Sequence, residues 1–304
     1  MRINTNVSSL TAQESAVNTN KSITNSLEKL SSGLRINKAA DDASGLAIAD
    51  KLRTQVTSIN QGVSNGNSAI ALLQIADKSM AEQSTILDTI KAKLIQANTD
   101  TTSSAGRTAI AKDVNKLLDQ LNNIAKQTNY NGTALLQAST NSSATGTAAS
   151  AGLTFQVGES TADLISTKTI QANVSGLSLS ALKTNVSAGA TYTSTTANGV
   201  TTVVSGTAFT KEMASAGQAL INDAITKLNG YRGDIGSTQN QVESAVRNLA
   251  TQATNIKNAE SVIRDVDYAQ ESANYNKLNI IAQAGSYAIS QANSTQQNVL
   301  RLLQ

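Results

Sequence analysis

Apolar residues near both ends of the chain recur at three- and four-residue steps, the spacing that aligns side chains on one face of an α-helix. In the first arm Ile3, Val7, Leu10, Val17, Ile23, Leu27 and Leu30 form such a stripe. Ser31-Ser32-Gly33 predicts its end, because glycine readily takes the left-handed conformation of a helix C-cap. Residues 37–44 read as a polar linker offering Asp41, Asp42 and Ser44 as N-caps for the next helix. That helix carries the strongest pattern in the chain: Leu52, Val56, Ile59, Val63, Ile70, Leu73, Met80, Leu87 and Leu94. A repeat of about 3.5 residues is the seam of a coiled coil. Gly66, Asp77 and Ser84 interrupt the seam, and Lys91 follows them. A helix over residues 45–97 would be ~80 Å long, whereas a sphere of this many residues is only ~50 Å across. The pattern predicts an elongated molecule whose seam needs partner helices.

Candidate partners follow. After a polar loop at 98–104, Ile110, Val114, Leu117, Leu121 and Ile124 predict a third helix. It should stop at Asn129-Tyr130-Asn131-Gly132, where Asn-Gly favours positive φ. The C-terminal arm repeats the logic with Val242, Val246, Leu249, Ile256 and Ile263, preceded by Ile235. Beyond Asp265-Val266-Asp267 a last helix carries Leu278, Ile281, Ile289, Val299 and Leu302. The two ends mirror each other: a terminal helix, a polar break, then a long seam helix. Between them the period shortens. Leu153–Val157 alternates apolar and polar, and Thr169–Val174 does so less cleanly. Thr191–Thr196 and Val200–Val204 flank Ala197-Asn198-Gly199, a hairpin signal. The predicted class is mainly α: an elongated antiparallel helical bundle or coiled coil of N- and C-terminal arms with a small β insertion.

Composition narrows the chemistry. The 304 residues include no Cys, His, Pro or Trp, and only two Phe and six Tyr. Lack of Cys removes disulfides, thiolate metal sites and Cys nucleophiles. Lack of His removes the commonest general base and every imidazole-dependent zinc site. These absences disfavour catalysis without excluding it, since carboxylate pairs, Lys and Tyr could still do chemistry; no catalytic, cofactor-binding or metal-binding residue is expected. Lack of Pro suits long helices, since Pro costs ~3 kcal/mol inside one. With 24 basic and 21 acidic residues the net charge is +3, which does not suggest nucleic acid as a partner. Among residues 131–210 only Glu159, Asp163, Lys168 and Lys183 are charged, in a stretch rich in Ser and Thr. No apolar run approaches the ~20 residues of a membrane span, so no membrane insertion is expected. The first residues lack the apolar core of a secretory signal, so export would not use a cleaved signal peptide.

The residues from Ser31-Ser-Gly-Leu-Arg-Ile-Asn-Lys-Ala-Ala-Asp-Asp-Ala-Ser-Gly-Leu-Ala-Ile-Ala-Asp-Lys-Leu-Arg53 closely resemble the N-terminal signature of bacterial flagellin. Ala259-Glu-Ser-Val-Ile-Arg-Asp-Val-Asp-Tyr268 and the ending Gln296-Gln-Asn-Val-Leu-Arg-Leu-Leu-Gln304 resemble its C-terminal signature. The match covers roughly 1–136 and 213–304. It implies a structural subunit that self-assembles into the flagellar filament for swimming motility. Residues 1–44 with 265–304 would form a terminal coiled-coil domain lining the filament core. Residues 45–182 with 208–264 would form the inner helical domain with its β segment, and 183–207 a minimal outer hairpin. The implied partners are further copies of the chain, a flagellar type III export apparatus, an export chaperone, and filament cap and junction proteins. The implied location is extracellular. The alternatives are the related hook–filament junction protein or another secreted coiled-coil scaffold.

The two seams read as subunit packing surfaces, although any long helical hairpin needs them. The terminal stripes are sparse, so those helices should order only when buried against neighbours. Arg232-Gly-Asp234 spells an adhesive tripeptide but falls within a helical arm. Asn-x-Ser/Thr sequons at Asn131, Asn141, Asn173 and Asn185 read as coincidence. Ser187, Thr191, Thr193, Ser194, Thr195, Thr196, Ser205 and Thr207 are candidate O-glycosylation positions, since several flagellins carry sugars at such places. The resemblance also implies an immune-receptor patch on the long helix. There the family's first arginine is replaced by Thr89, its leucine by Lys93, and a glutamate of the following helix by Asp113. These changes predict weak or no Toll-like receptor recognition.

Overall fold

A computed structural model describes residues 6–137, 152–191, 193–197, 200–205 and 208–303. Within them the chain forms α1 (Val7–Ser32), α2 (Ala43–Ala97), α3 (Ser104–Gln127), α4 (Ser180–Thr191), α5 (Lys211–Arg264) and α6 (Tyr268–Leu303). Three two-stranded antiparallel pairs join them: β1 (Asn129–Tyr130) with β2 (Thr133–Ala134), β3 (Thr154–Gln156) with β4 (Leu164–Ser166), and β5 (Thr193–Ala197) with β6 (Val200–Ser205). The helices end where local chemistry ends them. Gly33 takes φ 73°, and its N–H donates to the Lys29 carbonyl. Asp42 accepts from the Gly45 N–H at 2.9 Å and caps α2, while Ser103 accepts from Gly106 and caps α3. Asn131 and Gly132, at φ 49° and 82°, make the turn between β1 and β2.

The contacts divide the chain into two units. The larger, Ser58–Ala250, contains the main core. Leu73, Met80, Leu87, Ile90 and Leu94 of α2 meet Val114, Leu118 and Leu121 of α3 and Ile221, Ala224 and Leu228 of α5. The Gln83 side chain is fully buried there and donates to the carbonyls of Leu121 and Ala172, at 3.1 and 2.8 Å. These bonds satisfy the amide's NH2 group, while its buried Oε1 accepts none among the described residues. A second cluster joins Ala69 of α2, Val157, Ile165 of β4 and Val242 of α5. The smaller unit, Met1–Thr57 with Thr251–Gln304, pairs α1 with α6.

Several expectations are corrected. The buried stripe of α3 is Ile110, Val114, Leu118, Leu121 and Ala125; Leu117 and Ile124 are only partly buried. Thr169–Val174 is not a strand. The Ala172 N–H donates to the Leu136 carbonyl at 2.9 Å and its carbonyl accepts from Gln83, so the Ala172 backbone is satisfied by the segment after β2 and by a side chain of α2 rather than in a ladder. Residues 180–191 form α4, not part of the hairpin expected over 183–207; Leu182 and Val186, one turn apart, are fully buried. The hairpin itself starts at Thr193.

Candidate functional site

The terminal helices meet along one face and leave another apolar face open. Val7, Leu10, Val17 and Leu27 of α1 are each more than half exposed, while Ile23 and Leu30 are half-buried. On α6, Leu278 and Ile289 are half-buried, Ile281 is exposed, and Ile280 and Tyr287 are 66% and 74% exposed. Ile3 lies outside the described residues, as do the side chains of Val299 and Leu302. Within the described part of this unit few residues are buried: Ser26, Ile36, Gly45 and Ala49. Ser26 donates to the Glu271 carboxylate. Near the other end of α1, Asn6 caps the helix by accepting from Ser9 and donates to the Ala292 carbonyl at 3.2 Å.

The breaks before and after this pair are tied to each other. Leu34 and Asp265 form an antiparallel bridge. The Arg35 N–H donates to the Arg264 carbonyl at 2.6 Å, and the Val266 N–H to the Gly33 carbonyl at 3.0 Å. The Arg35 guanidinium also donates to the Ile263 carbonyl at 2.6 Å, and the Tyr268 hydroxyl to that of Leu30. Asp267 caps α6 by accepting from Ala269 and Gln270. Asp41 accepts from the N–H groups of Lys38 and Asn37, at 3.1 and 3.0 Å, and these bonds hold its carboxyl below the ordinary 3.8. Its bonds shape the linker, leaving Asp42 as the cap. The Glu28 carboxylate, 2.7 Å from Lys38, accepts from its ammonium and raises its pKa. The sequence marked both breaks; the cross-links through Arg35 and Tyr268 carried no local signal.

The seam residues divide by position. Leu73, Met80, Leu87, Leu94 and Val242 are buried in the larger unit by this chain's own elements, so they hold the subunit together and cannot pack against another copy. Ile59 is also buried, whereas Leu52, Val56, Val63, Ile70, Val246, Leu249, Ile256 and Ile263 are half-buried. Two of the seam's interruptions, Gly66 and Asp77, have partners on α5. Gly66 admits Val246 of α5, since a Cβ there would lie 2.4 Å from its Cγ2. Asp77 accepts from the Arg232 Nε at 2.9 Å. Asp234 pairs with Lys168 at 3.0 Å, so both charges of the Arg-Gly-Asp run are engaged within the chain.

The three altered patch positions come together in part. Lys93 and Asp113 pair at 2.9 Å between α2 and α3. Thr89 is exposed, and its hydroxyl donates to the Thr85 carbonyl of its own helix. Among the hydroxyl candidates, Ser187 is exposed on α4, Thr191 ends that helix, and Thr193, Ser194, Thr195, Thr196 and Ser205 lie on β5 and β6; Thr207 lies outside the described residues. The described residues contain no group of acidic side chains suited to a metal ion and no helix long and apolar enough to cross a membrane.

Residues 3–141 match the bacterial flagellin N-terminal helical region and residues 219–303 the bacterial flagellin C-terminal helical region. Flagellin of Bacillus subtilis (strain 168) is 33% identical over the whole of both chains. The flagellar filament 33 kDa core protein of Treponema phagedenis is likewise 33% identical over the whole of both. A solved structure assigned to a flagellar hook-associated protein of Vibrio parahaemolyticus is similar at 12% identity with a TM-score of 0.56. It covers 74% of this chain and 99% of that one, and shares the fold alone.

Proposed function

This chain belongs to the bacterial flagellin family and is a structural subunit of the flagellar filament, and from that premise we propose that its terminal helix pair is the part completed by assembly. The observation that carries this is the open apolar face of the pair: Val7, Leu10, Val17, Leu27, Ile280 and Tyr287. A two-helix unit with so few buried residues gains little to offset an ordering cost of roughly 1–2 kcal/mol per residue. Burial against neighbouring copies supplies the missing apolar area at about 25 cal/mol per Å². Within residues 1–40 and about 265–304, the described parts, 6–40 and 265–303, are therefore loose in the free subunit and helical in the filament. Residues 1–44 with 265–304 line the filament core, 45–182 with 208–264 surround it, and the β5–β6 hairpin faces outward. The half-buried seam positions meet neighbours, in contrast to the fully buried ones.

The filament is an extracellular appendage. The loose ends suit passage through a type III export channel with a chaperone. Cap and junction proteins are the further partners. The hydroxyls of the outer hairpin are acceptors for O-linked sugars, and the Thr89, Lys93 and Asp113 patch weakens Toll-like receptor recognition.

Limited proteolysis of the monomer tests the coupled ordering. Both ends should be trimmed to leave a resistant central fragment, and filaments should protect them. Seeded growth followed by electron microscopy tests the surface. Wild type should extend seeds, whereas Val17→Asp with Leu27→Asp should leave a folded central unit that does not. Ends as resistant as the centre in the monomer would refute the reading.

A further inference from the structure

Four Asn-Gly dipeptides occur in the chain, at 65–66, 131–132, 198–199 and 229–230. Such pairs share an intramolecular reaction. The glycine nitrogen attacks the asparagine Cγ, a C–N bond closes a succinimide ring, and the carboxamide nitrogen leaves as ammonia, taking up the proton that the glycine nitrogen gives up. Water then opens the ring at either carbonyl, leaving aspartate or isoaspartate. Glycine favours the attack because it has no side chain to obstruct it. The folded structure decides whether the glycine N–H, the asparagine side chain and the backbone between them are free to react.

Two of the pairs are locked. Asn65-Gly66 lies in α2 and Asn229-Gly230 in α5. Inside a helix the glycine N–H is committed to the carbonyl four residues back, and the intervening backbone cannot rotate alone. Asn65 is fastened further: its amide donates to the Gln156 carbonyl at 3.1 Å and accepts from Gln61 at 2.9 Å. Asn198-Gly199 lies outside the described residues.

Asn131-Gly132 differs on each count. The pair is the two-residue turn between Tyr130 and Thr133, with both φ values positive. In such a turn the ladder bond belongs to the flanking residues, and the N–H of the second turn residue is left to solvent. Both residues are exposed, and among the described residues no hydrogen bond engages the Asn131 side chain. A Cβ on Gly132 would meet nothing within 4 Å.

We infer that Asn131 is a site of spontaneous deamidation in the folded protein, converting in water to aspartyl and isoaspartyl forms. The consequence lies in what the turn holds. β2 runs directly into Leu135 and Leu136, both buried in the main core. The Leu135 N–H donates to the Thr128 carbonyl at 3.1 Å, closing this end of the bundle. Isoaspartate inserts a carbon into a two-residue loop, so the Asn129↔Ala134 register cannot be kept with the same turn. Either product places a negative charge at the tip. The mark accumulates with the age of the subunit.

The test uses the full chain in mildly alkaline buffer. Samples taken over time are digested and mapped by mass, with isoaspartyl methyltransferase labelling to separate the two products. Conversion at Asn131 should run several-fold faster than at Asn65 and Asn229 in the folded protein, and the three rates should converge in denaturant. Conversion at Asn131 no faster than at the two helical sites would overturn the inference. Asn131→Gln, which must close a larger and less favourable ring, should remove the isoaspartyl label from that peptide; label persisting in the same peptide of the variant would also overturn it.

Discussion

The hydroxyl of Ser26, on α1, donates to the carboxylate of Glu271, on α6, although 245 residues separate them in sequence. Ser26 is 2% exposed and Glu271 is half-buried, so the bond is partly shielded from water. Asn6 answers it near the far end of α1 by donating to the Ala292 carbonyl. Nearly equal lengths of helix lie between positions 6 and 26 and between 271 and 292, so the antiparallel register is pinned twice. Ser26→Ala should cost about 1 kcal/mol, since the part-buried Glu271 carboxylate can be rehydrated. The loss should appear as earlier melting of the terminal helices by circular dichroism of filaments.

Glycines 62 and 66 should differ in tolerance. A Cβ at Gly62 would lie 2.3 Å from the Val157 carbonyl oxygen, which is backbone, whereas one at Gly66 meets the end of the Val246 side chain. Overpacking costs about 1–3 kcal/mol, offset in part by the ~1 kcal/mol that alanine gains over glycine in a helix. Gly62→Ala should therefore shift the urea midpoint downward by more than Gly66→Ala does.

The rotated stripe of α3 gives a paired comparison. Leu118→Ala empties a fully buried position and should cost ~2–5 kcal/mol. Leu117→Ala, at a partly buried position, should cost clearly less. Equal losses in denaturant unfolding would contradict the burial pattern.

Acid should loosen the linker before α2. The N–H groups of Lys38 and Asn37 stabilise the charged form of Asp41, so its folded pKa lies below 3.8. A depressed pKa contributes stability that is present above the unfolded value and is lost as pH falls through the folded one. In filaments, where this linker is ordered, the solid-state amide resonances of Asn37 and Lys38 should shift together below 3.8, and Asp41→Asn should abolish that transition.

The proposed weakening of receptor recognition at Thr89 and Lys93 can be tested without unfolding the helix. Lys93 and Asp113 form a surface ion pair, and such pairs contribute about 0–1 kcal/mol. Thr89→Arg with Lys93→Leu should leave the melting temperature nearly unchanged and raise signalling by purified monomer in a Toll-like receptor reporter cell.

The sequence by itself determined the long helices, their breaks and the family, because each rests on local information. The α2 seam, the left-handed Gly33 and the Asp42 cap are legible from residues a few positions apart. Tertiary structure decided what depends on distant neighbours. Leu118 rather than Leu117 faces inward because α3 must meet α2 and α5 together, and a stripe read from α3 alone cannot choose between adjacent flanks. Residues 169–174 lose their strand because Leu136 and Gln83 take their backbone groups. The small helix at 180–191 carries little local signal because Ser, Thr and Gly weaken its propensity, and the burial of Leu182 and Val186 in the core compensates. The same cause assigns the seam: only the fold reveals that Leu73, Met80, Leu87 and Leu94 are covered by this chain itself, and that Val7, Leu10, Val17, Leu27 and Ile281 of the terminal stripes are not.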